Sequence, residues 1–163
     1  MTRKELSETY DLFHRGHMSS RTVKEVFLDV LVKLTDEEQT KVIEQVAILV
    51  FGKAKKKPGP FLGMMLPLCR PNAPKHSFEY LMMLNLQDHK DDDSLRFTLG
   101  HEIAHLLLGH LDHCKGGRKR EEAADNWCWE HGIYPEWVVT KPSLDLNEYK
   151  DAICARRKVR HDQ

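Results

Sequence analysis

The pentapeptide His101-Glu102-Ile103-Ala104-His105 constrains this chain more than any other feature. Residues four apart leave a helix on the same face about one turn apart, so the two imidazoles can grip one metal ion only if this segment is helical. Glu102 then stands beside the open coordination position, where its carboxylate can take a proton from a water molecule that the metal has made acidic. Zinc does this near neutral pH. Two histidines are only part of a catalytic zinc site, so the fold must also return a third ligand to the same point.

Sixteen residues beyond His105, the segment Glu121-Glu122-Ala123-Ala124-Asp125 offers carboxylates where a neighbouring helix could return. Glu121 and Asp125 are four apart and share a helix face, so one can ligate the metal while the other receives the distal N–H of a ligand histidine. Glu122 is the reserve ligand. Ala123 and Ala124 keep that helix slim beside the metal. In the pattern H-E-x-x-H-x-x-G-x-x-H, Gly would fall at 108 and His at 111, but Leu108 and Leu111 stand there. His110 is therefore expected at the helix end or in the cleft wall, and His113 with Cys114 in a solvent loop.

The surrounding pattern predicts the frame of the site. Val23, Val26, Phe27, Val30, Leu31 and Leu34 form one stripe of an amphipathic helix beginning at Ser20. Thr35 and Glu38 make a capping box, which predicts a second helix running through Val42, Ile43 and Val46 to a stop at Gly52. Lys53 to Pro60 is basic and rich in Pro and Gly, the composition of an exposed linker. Phe61 to Leu68 is an apolar run bounded by prolines, and Phe78, Tyr80, Met82, Leu84 and Leu86 alternate, so two strands are expected. A helix from Asp93 or Ser94 to Gly109 carries the pentapeptide. Others are expected from about Glu121 to His131, closed by Gly132, and from Leu146 to Arg157.

At 163 residues the chain suits one domain with a core of its own. Lys plus Arg and Asp plus Glu both number 25, so no global field draws it to nucleic acid or to anionic lipid. The N-terminus has no apolar signal core, and the longest apolar stretches, such as Val46 to Phe51, are far short of the roughly 18 residues of a membrane span. A cytoplasmic protein is expected. Cys69, Cys114, Cys128 and Cys154 are scattered, with no C-x-x-C pair, and are expected as reduced thiols.

Leu84-Asn85, then Arg96 to Leu108 around the pentapeptide, then Glu121-Glu122-Ala123-Ala124-Asp125 together resemble the ImmA/IrrE metallopeptidases, over roughly Phe61 to Pro135. The resemblance implies a zincin-like fold in which His101, His105 and Glu121 hold zinc, a gluzincin-like third ligand, with Glu102 as general base. It also implies a regulatory role, since such proteins cleave a DNA-binding repressor, or relieve its repression, in stress responses or mobile elements. Between the adjacent carboxylates Glu121 is preferred as ligand, because only it has Asp125 a turn ahead on the same face.

The expected fold is α+β, with helices packed on a small mixed or antiparallel sheet and a helical N-terminal part. Residues 1–52 form the helical segment, 53–60 the linker and 61–163 the zincin-like metallopeptidase domain. The expected activity is hydrolysis of a peptide bond in a protein substrate, a helix-turn-helix repressor or similar regulator, with one Zn2+ per chain and no direct nucleic-acid or membrane binding. The substrate strand would pair with the edge near Phe78 to Leu86. Tyr80, His110, His131 and Tyr134 are candidate oxyanion donors. A rival from another class is a zinc-bearing module that grips a repressor without cutting it, which retention of Glu102 disfavours. A further rival, nucleic-acid binding through Lys53 to Lys57 and Arg156-Arg157-Lys158, is weakened by the balanced charge.

Overall fold

The stripe Val23, Val26, Phe27, Val30 and Leu31 folds as expected into a helix, and all five side chains are buried together with Leu34. A computed structural model of the chain describes residues 1–13, 21–51, 63–68, 78–86, 89, 92–112, 117–134, 145 and 147–148. In order they form α1 (Arg3–Phe13), α2 (Arg21–Leu31), α3 (Asp36–Gln45), β1 (Val46–Phe51), β2 (Gly63–Pro67), β3 (Tyr80–Asn85), α4 (Asp92–Leu107) and α5 (Arg118–Glu130). The linker expected over 53–60 lies outside the described residues, as does the C-terminal helix apart from Asn147 and Glu148.

α1 is not anticipated by the charged N-terminal sequence. Among its described side chains Leu6 and Tyr10, four apart, mark its buried face, and Tyr10 packs against Phe27 with ring centroids 5.7 Å apart. The Thr35 capping box forms: the Glu38 N–H donates to the Thr35 hydroxyl at 3.4 Å, and the Thr35 N–H to the Glu38 carboxylate at 2.9 Å. One turn on, the buried amide of Gln39 donates to the carbonyls of Leu31 (3.1 Å) and Leu34 (3.0 Å), tying α3 to the turn that follows α2.

The expected helix to Gly52 is corrected. α3 ends at Gln45, and Val46–Phe51 is a strand. A short run of branched and aromatic residues reads equally as buried helix or buried strand, and partners remote in sequence decide. β1 finds its partner in β3, parallel, with Val46 opposite Tyr80 and Phe51 opposite Asn85. β2 lies antiparallel on the other side of β3, with Gly63 opposite Leu84 and Pro67 opposite Tyr80. The sheet is therefore mixed, in the order β1-β3-β2. Both edges of β3 are paired, which corrects the expectation that a substrate strand adds to Phe78–Leu86. Among the described residues β1 and β2 are the edge strands.

Met65, Met82 and Leu84 turn one face of the sheet to the core, where α4 contributes Leu95, Leu99, Ile103 and Leu106. Removing side chains of this size from water stabilises the fold by roughly 1.5–3 kcal/mol each. α4 packs on α2, on β2 and on α5, so the N-terminal helices and the pentapeptide helix share one core. Where α4 meets the residues that follow α5 the approach is close: a Cβ at Gly100 would stand 2.7 Å from Ile133 Cγ2. No described helix is long and apolar enough to cross a membrane.

Candidate metal centre

α4 carries His101 and His105 on one face, with their Nε2 atoms 3.1 Å apart. α5 packs along it and delivers Glu121, whose Oε2 lies 3.3 Å from His101 Nε2 and whose Oε1 lies 3.4 Å from His105 Nε2. Donor atoms of the three residues all fall within 4.8 Å of one another. Bonds of about 2.1 Å in a tetrahedral arrangement set their ligand atoms about 3.4 Å apart. The nitrogens are 3.1 Å apart, and each lies 3.3 or 3.4 Å from a different oxygen of the Glu121 carboxylate, which is near this spacing, so these residues could hold a metal ion between them.

Asp125 is buried one turn beyond Glu121, with Oδ1 2.9 Å from His101 Nδ1, the nitrogen facing away from the donor cluster. Burial alone would depress the His101 pKa, but its contacts with Asp125 and Glu121 outweigh burial and raise it from 6.5 to about 9. The same contacts, His101 first and then His105, hold the Glu121 carboxyl well below the usual carboxylate range. Protons and a cation compete for one place, and the metal-free protein fills it with a proton on His101.

Glu102 is tucked between α4 and β2. Burial raises its pKa, while His101 and His105 and the Met65 backbone N–H on β2 act to lower it. Its stem passes under Gly63, where an added Cβ would stand 3.2 Å from Glu102 Cγ. Gly63 and the Met65 amide are contributions to the site that sequence reasoning missed. The only signal was an isolated glycine within an apolar strand run, which marks a close approach.

Glu122 turns from the cluster and accepts from Arg118 Nε at 2.7 Å. Of the four candidate oxyanion donors, His110 is brought to the site, with its Nδ1 2.9 Å from His105 Nδ1. Burial and the neighbouring His105 lower its pKa. His131 stacks on Trp127 at 3.9 Å between centroids with Nδ1 on the Trp127 carbonyl, and Tyr134 packs on Trp129. Tyr80 begins β3.

Residues 65–130 match the family model of the IrrE N-terminal-like domain, a peptidase family. No curated protein and no solved structure matches the chain. The match begins on β2 beside Glu102 and ends with α5, so it spans both helices that supply the donor cluster. Over residues 65–130 the chain is thus similar to the IrrE N-terminal-like domain of the ImmA/IrrE family, a family of metallopeptidase type.

Proposed function

We propose that this chain is a zinc-dependent endopeptidase that hydrolyses a peptide bond of a protein substrate in the cytoplasm. The observation that carries this is the convergence of His101 Nε2, His105 Nε2 and the Glu121 carboxylate, whose donor atoms lie within 4.8 Å of one another. His101, His105 and Glu121 would hold the metal, and Asp125 would keep the His101 ring in register and its proton on Nδ1. A bound zinc ion would supply Lewis-acid polarisation of the scissile carbonyl and acidify a water molecule. Glu102 takes the proton of the attacking water and hands it to the departing amide nitrogen. Its raised pKa suits both halves of that transfer. A closed structural site would call for a fourth protein ligand, and among the described residues three converge.

The substrate segment would add to β2, an edge strand whose Met65 amide already faces Glu102. The ImmA/IrrE resemblance supports a helix-turn-helix repressor or similar regulator as the substrate, in a stress response or a mobile element. Glu102→Gln tests the reading, because it keeps size and helix preference while removing the base. Zinc content and substrate binding should match the parent, and cleavage of a repressor encoded beside the gene should drop by at least about 10²-fold. Undiminished biological function in that variant would replace the peptidase with a zinc-bearing module that grips its partner uncut.

A further inference from the structure

The two ligand histidines each have a partner on the nitrogen that faces away from the donor cluster. For His101 it is Asp125, and for His105 it is another histidine. His105 Nε2 is turned to His101 Nε2 at 3.1 Å and to Glu121 Oε1 at 3.4 Å, so a metal held here takes that side of the ring. The His105 proton must then sit on Nδ1, which lies 2.9 Å from Nδ1 of His110. Two N–H groups cannot face each other at hydrogen-bonding distance, so with His105 donating, His110 presents a lone pair at Nδ1 and keeps its own proton on Nε2.

We propose that His110 is a positioning residue for the second ligand histidine: its Nδ1 accepts the His105 Nδ1–H and fixes that ring, as Asp125 does for His101. The inference rests on the zinc reading of the site. His110 is not itself one of the converging donors among the described residues, since its near nitrogen meets the far side of His105. The two rings are tilted by 59° with centroids 5.1 Å apart, so the contact is nitrogen to nitrogen and not face to face.

The backbone holds His110 in place. Gly109, at φ 68°, turns the chain out of α4 through the left-handed region, and His110–Asp112 follow as a single 3-10 turn. Arg120 Nη1 donates to the His110 carbonyl at 2.9 Å. Arg120 directly precedes Glu121 on α5, so one short stretch of helix supplies the carboxylate donor and the clamp on the turn that orients the opposite ligand.

Two substitutions separate hydrogen bonding from packing. His110→Phe keeps a ring and loses the acceptor, whereas His110→Asn loses the ring and keeps an amide oxygen at similar reach from the backbone. Zinc affinity would be measured by competition with a chromophoric chelator, and ligand geometry by the visible spectrum of the cobalt(II)-loaded protein. His110→Phe should bind zinc about 10- to 100-fold more weakly than the parent and show an altered cobalt spectrum. His110→Asn should recover affinity and a parent-like spectrum. Parent-like affinity in His110→Phe, or failure of His110→Asn to recover, overturns the inference while leaving the zinc centre standing. A parent that binds no zinc removes the metallopeptidase reading and this inference together.

Discussion

Gly63 of β2 crosses Thr98 of α4 with no room for a side chain: a Cβ at position 63 would stand 2.6 Å from Thr98 Cγ2. The requirement is closeness and not an unusual backbone, since among the described residues Gly109 and Gly132 are the glycines with positive φ. Glu102 follows Thr98 by one helical turn, so the strand that presses on Thr98 also presses on the stem of the proposed base. Edge strand and base are thereby held at a fixed spacing.

Gly63→Ala should therefore cost about 1–3 kcal/mol of stability, the range for overpacking a buried contact. Thr98 is buried in close-packed surroundings, which leave it little room to swing aside. Thr98→Ser deletes the atom that clashes, so the cost of Gly63→Ala should shrink in that background. Denaturant unfolding of the four proteins in this cycle measures the coupling. Additive costs would mean that the strand yields and the helix does not feel it.

Elemental analysis should find one zinc per chain, lost in His101→Ala and in His105→Ala, because each removes one of three donors. Zinc should fall sharply in Glu121→Gln and little in Glu122→Gln, whose parent side chain is engaged with Arg118 at 2.7 Å. The reverse order for the two glutamates would transfer the third position to Glu122.

The convergence of His101, His105 and Glu121 was legible in the sequence because helical periodicity governs it. His101 and His105 had to share a face, and Glu121 had to share one with Asp125, so a single packing contact between α4 and α5 assembles the group. What the sequence could not supply depends on pairing between remote segments. Val46–Phe51 is a strand because β3, nearly thirty residues on, accepts it, and once it does β3 ceases to be an edge. The one-residue offset of His110 from the expected histidine position spoke against a metal ligand. It did not disclose the contact with the far nitrogen of His105, which needs the turn at Gly109.

Cys128 is fully buried on α5, and burial, followed by the nearby charges of Asp125 and Glu102, pushes its thiol well above the ordinary value. A thiol that does not ionise is a poor nucleophile. In the native protein Cys128 should resist an aqueous disulfide reagent and react only at the rate of unfolding, with peptide mapping used to separate it from the other cysteines. Labelling of Cys128 under native conditions as fast as a free thiol would mean that the α4–α5 contact opens readily.

The raised pKa of His101 gives the site opposite pH dependences with and without metal. In the metal-free protein the group contributes stability that is fully present below its ordinary pKa of 6.5 and is lost as pH rises through about 9. The contribution is on the order of a few kcal/mol, since every tenfold gain in proton affinity on folding is worth about 1.4 kcal/mol. Zinc needs the same nitrogen unprotonated, so between these two values binding must expel a proton. Glu121 is already ionised there and adds no further dependence. Apparent zinc affinity should then rise up to about tenfold per pH unit from His101 and level off above about 9. Thermal unfolding of the metal-free protein should show stability declining over the same interval. Asp125→Asn removes the charge that helps to hold the proton, so its affinity curve should level off at a lower pH. Chelator competition across the interval measures both curves, and zinc affinity that stays flat in the parent would show that His101 is neutral before the metal arrives.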